Sequence, residues 1–123
     1  MIDRYTRPEI GRIFSLENKY RIWQEIEVLA CEAQAELGEI GITKEEAKWI
    51  RDHASFDVDE VAEIETVTNH DVIAFLTNMG SYVDRDVPEA HEKPSRWIHY
   101  GMTSSDLGDT ALCYQLVQAT DIL

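Results

Sequence analysis

The sequence is poor in the features that point toward membranes, metals or nucleic acids. No apolar run approaches the roughly 18 residues of a membrane helix, which excludes a membrane-spanning helix. The opening MIDRYTRPEI has none of the apolar stretch of a signal peptide. Cytoplasm is the expected compartment. Basic residues are scarce: 11 Lys and Arg stand against 24 Asp and Glu, a formal net charge of −13. That field repels a nucleic-acid backbone or an anionic membrane, and neither is expected as a partner. The 2 cysteines, Cys31 and Cys113, lie in helix-like patterns without metal-ligand spacing. They are expected to be reduced, semi-buried thiols rather than a disulfide or a nucleophile. The 4 histidines show no paired ligand spacing either, so no metal and no cofactor is expected. His53 and His91 read as ordinary boundary residues. Strand-like alternation and internal repeats are missing as well.

What the chain has is helix. At 123 residues, 44% hydrophobic and 28% charged, its composition is ordinary for one globular unit with a modest core. After a short, unstructured N-terminal arm, Ser15 is placed as an N-cap with Glu17 in the first turn. Leu16, Tyr20, Trp23, Ile26, Ala30, Ala33 and Leu37 follow at helical spacing, and Gly38 stands where the helix should stop. Ile22 and Leu29 widen that stripe. Thr43 with Glu46, and Asp57 with Glu60, carry the capping-box spacing and start two further helices. These bury Ala47, Ile50 and Ala54, then Val61, Ile64 and Val67. A fourth helix is expected from Asp71 through Val83, with Val72, Phe75, Leu76, Met79 and Val83 on one face. Asp84 to Trp97, with two prolines and no periodicity, reads as a surface loop. Helical pattern returns from Ser104 or Ser105. Leu107, Ala111, Tyr114 and Val117 form one apolar face, and Leu112, Leu116 and Leu123 another, the mark of a helix among several neighbours. The class is all-α. No stop signal follows Asp121-Ile122-Leu123, so the expectation is a fragment cut within its longest helix.

Two polar clusters stand out. Thr103-Ser104-Ser105-Asp106 opens the last helix, with His99 and Gly101 just before it. Capping is the simpler account of such residues. Free N–H groups and adjacent hydroxyls at a helix N-terminus also suit an anion, with Gly101 allowing close approach and His99 adding a donor. The second cluster, Asn69-His70-Asp71, interrupts two helices. One account has Asp71 or Asn69 capping the fourth helix while His70 makes a local hydrogen bond. The other makes His70 a proton carrier oriented by a neighbouring carboxylate. With Arg4 and Tyr5 in the arm, these residues offer a guanidinium, a phenol, imidazoles and hydroxyls. That set suits a ligand with several carboxylate or phosphate groups.

The same residues carry a resemblance. IDRYTRPEI, TNHDVIAF at Thr68 to Phe75, and HYGMTSSDLGDTA at His99 to Ala111 resemble the bacterial-type adenylosuccinate lyase family, of the fumarase/aspartase superfamily, over essentially the whole chain. The resemblance implies residues 1–103 as an N-terminal helical domain and 104–123 as the start of a central helical bundle. It implies an all-helical homotetramer whose active sites each draw on three subunits. It implies a C–N lyase that eliminates fumarate from adenylosuccinate, giving AMP, and from a succinyl-carboxamide ribotide of purine biosynthesis. No cofactor is implied.

Carried over by position, Arg4 and Tyr5 match the pair that holds the nucleotide end of the substrate. Asn69, His70 and Asp71 match a second binding stretch, where the family often has Arg or Lys in place of Asn69. Thr103 and Ser104 match a hydroxyl pair that meets succinyl or phosphate oxygens, with His99 beside them. Asp106 and Asp109 are assigned capping and packing only. The family's general acid, a histidine, and its base, a serine on a mobile loop, fall in segments following this region. His70 would then assist catalysis, and the fragment alone would be inactive. Two other readings remain: another lyase or a cycloisomerase of the superfamily acting on a polycarboxylate, and a non-catalytic helical interaction module.

Overall fold

The computed structural model describes residues 1–123 as six α-helices with two short 3-10 turns and no strand. The helices are α1 (Pro8–Ile13), α2 (Leu16–Leu37), α3 (Lys44–His53), α4 (Val58–Thr68), α5 (Asp71–Asp84) and α6 (Ser104–Ile122). The arm expected to lack structure is instead ordered by a 3-10 turn at Asp3–Tyr5 and by α1. Proline at the first position of α1 loses no hydrogen bond there, and Ile13 gives the short helix a buried anchor.

Local signals set most helix boundaries. The Ser15 hydroxyl accepts the Asn18 N–H at the start of α2, and Gly38 ends that helix with φ of 70°. Thr43 and Glu46 form a reciprocal capping box on α3. Asp57 caps α4 by accepting the Glu60 N–H, but the Glu60 carboxylate turns away to Asn78 and Tyr82. At the next junction neither Asp71 nor Asn69 is the cap. His70 is, its Nδ1 accepting the Ile73 N–H at 3.2 Å, while Asn69 ends α4 in the left-handed region at φ 52°.

Helix α2 is the central strut, contacted by α1, α3, α4 and α6. Its buried face holds Tyr20, Ile22, Trp23, Glu27, Val28, Cys31 and Ala35. This face is rotated from the expected one, for Leu16, Leu29, Ala33 and Leu37 are exposed. Around Phe75 of α5, fully buried, gather Tyr20 at 5.3 Å between ring centroids, Trp23 at 5.5 Å and Phe56 at 5.9 Å. Burial of one such ring stabilises the fold by about 2–3 kcal/mol. Val61 is buried as expected, whereas Val67, near the end of α4, is exposed.

The segment from Asp84 to Trp97 is only partly a surface loop. Its end forms a 3-10 turn, Pro94–Trp97, with Pro94 buried. The Ser95 N–H and hydroxyl donate to Asp84, and the Trp97 indole donates to Glu46 at 3.0 Å. The Cys31 thiol meets the Trp97 carbonyl at 3.6 Å, and its apolar burial pushes its pKa up to about 12. Cys31 and Cys113 are both free, but Cys113 is exposed rather than semi-buried. No helix is long and apolar enough to cross a membrane.

Helix α6 lies on α1 and α2. Two amides fasten it there: Gln115 donates to the Ile13 carbonyl at 2.9 Å, and Asn18 donates to Gln118 at 3.2 Å. Its buried side is Leu107, Ala111 and Gln115. Tyr114 and Val117, expected on that side, are exposed, as are Leu112, Leu116 and Leu123.

Candidate functional site

The three polar stretches occupy three chain reversals. Arg4 and Tyr5 sit in the first 3-10 turn, both exposed, with the guanidinium 4.8 Å from the phenol ring centroid. The turn is closed by the Thr6 hydroxyl, which donates to the Ile2 carbonyl at 2.7 Å. Neither the Arg4 guanidinium nor the Tyr5 hydroxyl is tied to another side chain by a hydrogen bond or ion pair within the chain.

At the α4–α5 junction, the left-handed Asn69 reverses the chain and leaves its amide exposed. Asp71 Oδ1 accepts the Val72 N–H at 2.8 Å and lies 3.8 Å from His70 Nδ1. Because His70 Nδ1 accepts a backbone N–H, its ring proton belongs on Nε2. His70 therefore faces outward as a donor, so capping and donation are compatible in this one side chain.

The third stretch is a tight turn between Trp97 and α6. His99 is held at φ 65° and Gly101 at φ 74°. A Cβ at Gly101 would have no neighbour within 4 Å, so glycine is needed there for its backbone and not for space. Asp106 reaches back to accept the Thr103 N–H at 2.9 Å, the capping role expected of it. Thr103, Ser104 and Ser105 are exposed at the start of α6. The His99 ring turns inward, and its Nδ1 lies 2.9 and 3.1 Å from the two carboxylate oxygens of Glu27.

Glu27 is the residue that sequence reading missed. It is fully buried in the middle of α2, in a stripe otherwise apolar or aromatic. Burial pushes its carboxyl up from the ordinary glutamate range, and the hydrogen bond and charge of His99 pull it back down. A glutamate on the core side of a helix was the only available signal. It was hidden because the predicted apolar stripe ran along the neighbouring flank.

No hydrogen bond or ion pair joins one of the three stretches to another, and the larger surface hollows are lined by other residues. The three stretches thus share no polar contact, although one hollow runs between Ile73, next to the second, and Ile98, next to the third.

Residues 4–123 match the protein family described as lyase. The chain belongs to that family. Over all 123 residues it is 50% identical to the adenylosuccinate lyase of Bacillus subtilis and 49% identical to that of Streptococcus mutans. It is 44% identical to the adenylosuccinate lyase of Staphylococcus saprophyticus over the same length. In each case the match covers 26% of the relative, so this lyase-family chain spans about a quarter of their length.

The edges present donors in quantity: Arg4, the Nε2–H of His70, the hydroxyls of Thr103 and Ser104, and N–H groups at the start of α6. Donors of this kind stabilise negative charge developing on carboxylates and hold a phosphate in place. No group of three or more His, Cys, Asp or Glu is arranged to hold a metal ion.

Proposed function

We propose that this chain is the N-terminal part of an adenylosuccinate lyase, an enzyme that eliminates fumarate from adenylosuccinate and from the succinyl-carboxamide ribotide. The observation that carries the reading is the 50% identity, without a break in coverage of this chain, to the N-terminal 26% of an adenylosuccinate lyase. In this reading residues 1–103 are a helical domain and 104–123 begin a central bundle, and the working enzyme is a cytoplasmic homotetramer.

Arg4 and Tyr5 bind the nucleotide end. Asn69, His70 and Asp71 form a second wall, and His99, Thr103 and Ser104 meet succinyl or phosphate oxygens. Cleaving the C–N bond by β-elimination requires loss of a weakly acidic proton beside a carboxylate and protonation of the departing nitrogen. This chain's part is to orient the substrate and stabilise charge, with His70 assisting through its outward Nε2–H. The principal acid and base belong to segments outside these residues. Three polar stretches that share no polar contact within one chain support a site completed by other subunits.

The test is a chimera in which residues 1–123 replace the matching segment of the Bacillus subtilis enzyme. It should release fumarate from adenylosuccinate at a rate near that of the parent, whereas the 123-residue chain alone should not. A correctly assembled chimera that leaves adenylosuccinate untouched, or an isolated chain with enzyme-like turnover, overturns the reading.

A further inference from the structure

The Glu27–His99 pair is unlike any other ionic contact in the molecule. The remaining ion pairs lie at or near the surface, on side chains that water reaches. Glu27 instead has no exposure, and His99 is its only ionic partner. A carboxylate taken out of water without a partner is strongly destabilising, so packing alone does not account for it in a helix core. His99 also stands in the left-handed region, a strained place for a residue with a Cβ. That backbone turn aims its ring at the helix behind it.

Both oxygens of Glu27 face Nδ1, so Nδ1 is the nitrogen committed to the carboxylate. Nε2 makes no hydrogen bond within the chain and is not among the buried atoms lacking a partner, so solvent reaches it. We propose that Glu27 is a positioning residue, holding a proton on His99 Nδ1 and so presenting Nε2 as the open nitrogen of a ring carried by the turn that leads into α6.

His70 is fixed the other way round, for its Nδ1 accepts the Ile73 N–H and its proton sits on Nε2. The two imidazoles are therefore set as opposites. A neutral His70 offers an outward donor, and a neutral His99 offers an outward acceptor that becomes a donor when the ring is charged. A substrate with both protonated and ionised oxygens, or one that changes charge during reaction, can then be met by two rings whose roles do not interchange. This use of His99 rests on the lyase reading above, but the positioning claim itself does not.

Two measurements keep those claims apart. Ring nitrogen NMR of the 123-residue chain reads the tautomer directly. The expected result is a neutral His99 protonated at Nδ1, retained in Glu27→Gln, whose amide oxygen still accepts, and lost in Glu27→Leu. A wild-type His99 protonated at Nε2, or a tautomer unmoved by Glu27→Leu in a chain with native circular dichroism, overturns the positioning role. If Glu27→Leu does not fold, the wild type and Glu27→Gln still decide it, because an Nε2–H tautomer in either contradicts the proposal. In the Bacillus subtilis chimera, Glu27→Leu should lower kcat at least about ten-fold while KM moves little, with Glu27→Gln restoring most of it. An inactive wild-type chimera beside the expected NMR result means that the lyase reading has failed and the positioning has not. An active chimera indifferent to Glu27→Leu refutes the functional use of the positioned ring.

Discussion

At the scale of single residues, His70 has a structural job as a cap and a proposed chemical one, and substitutions can separate the two. His70 caps α5, so His70→Ala should destabilise the chain by about 1 kcal/mol. His70→Asn keeps a capping oxygen and should unfold near the wild-type midpoint in urea. In the chimera, both variants should lose kcat severely, because neither has an imidazole. Equal activity in His70→Asn and wild type would leave His70 a cap and nothing more. Arg4 is exposed and tied to no acid, so Arg4→Ala should leave stability within about 0.5 kcal/mol while raising KM.

The candidate residues were legible at this scale because helix ends announce themselves. Capping residues, glycine and polar clusters lie within a few positions of one another. Which residue would cap was less legible. Asn69, His70 and Asp71 are all able to, and His70 prevails because Asn69 takes the left-handed turn and Asp71 bonds the next N–H. Glu27 could not be assigned a role from its neighbours in sequence, since its partner His99 lies in the far third of the chain.

At the scale of elements, α3 docks on α2 through a charged seam as well as an apolar one. Arg51 bonds Glu25 at 2.6 Å and Glu32 at 2.7 and 3.2 Å. Hydrogen bonding to the Arg51 guanidinium holds the Glu32 carboxyl below its usual range. The unfolded chain therefore binds the Glu32 proton more readily than the folded one. This contribution is present above the ordinary glutamate pKa and lost as pH falls through the depressed value.

Arg51→Met should accordingly lower stability near neutral pH, by at most about 1 kcal/mol since both partners are more than a third exposed. Urea titrations of wild type and variant should converge in acid. A difference that persists unchanged below the depressed value would assign the effect to packing of the Arg51 stem. Phe75→Ala, at the centre of the aromatic cluster, should remove about 3–5 kcal/mol, much of the stability of a unit this size.

The chain as a whole leaves apolar surface uncovered. On α6, Leu112, Tyr114, Leu116 and Val117 are about half exposed, and on α2, Leu16, Leu29 and Leu37 are too. Monomers seldom tolerate apolar surface on this scale, so the chain should self-associate at high concentration despite its charge of −13. Sedimentation equilibrium should show average mass rising with concentration, more steeply in added salt, which screens that charge. Leu116→Glu should weaken the association. A strict monomer at high concentration would contradict this prediction and weaken the tetramer reading with it.

By itself, the sequence determined the helical class, the helix starts at Ser15, Thr43, Asp57, Asp71 and the Thr103 region, and the identity of the polar edges. Those features depend on contacts between residues three or four apart, which any reader of the chain can count. Only the tertiary structure decided which flank of α2 and α6 is buried, that Glu27 lies in the core, and that His99 is turned back onto it. A helix with apolar residues on two sides is equally content with either side covered. The choice is made by where its neighbours stand, and here α1, α3, α4 and α6 cover one flank of α2, while α1 and α2 cover one flank of α6. Glu27 follows the same rule. It is buried because its position faces those neighbours, and its carboxylate is tolerated because the strained turn at His99 brings an imidazole to meet it.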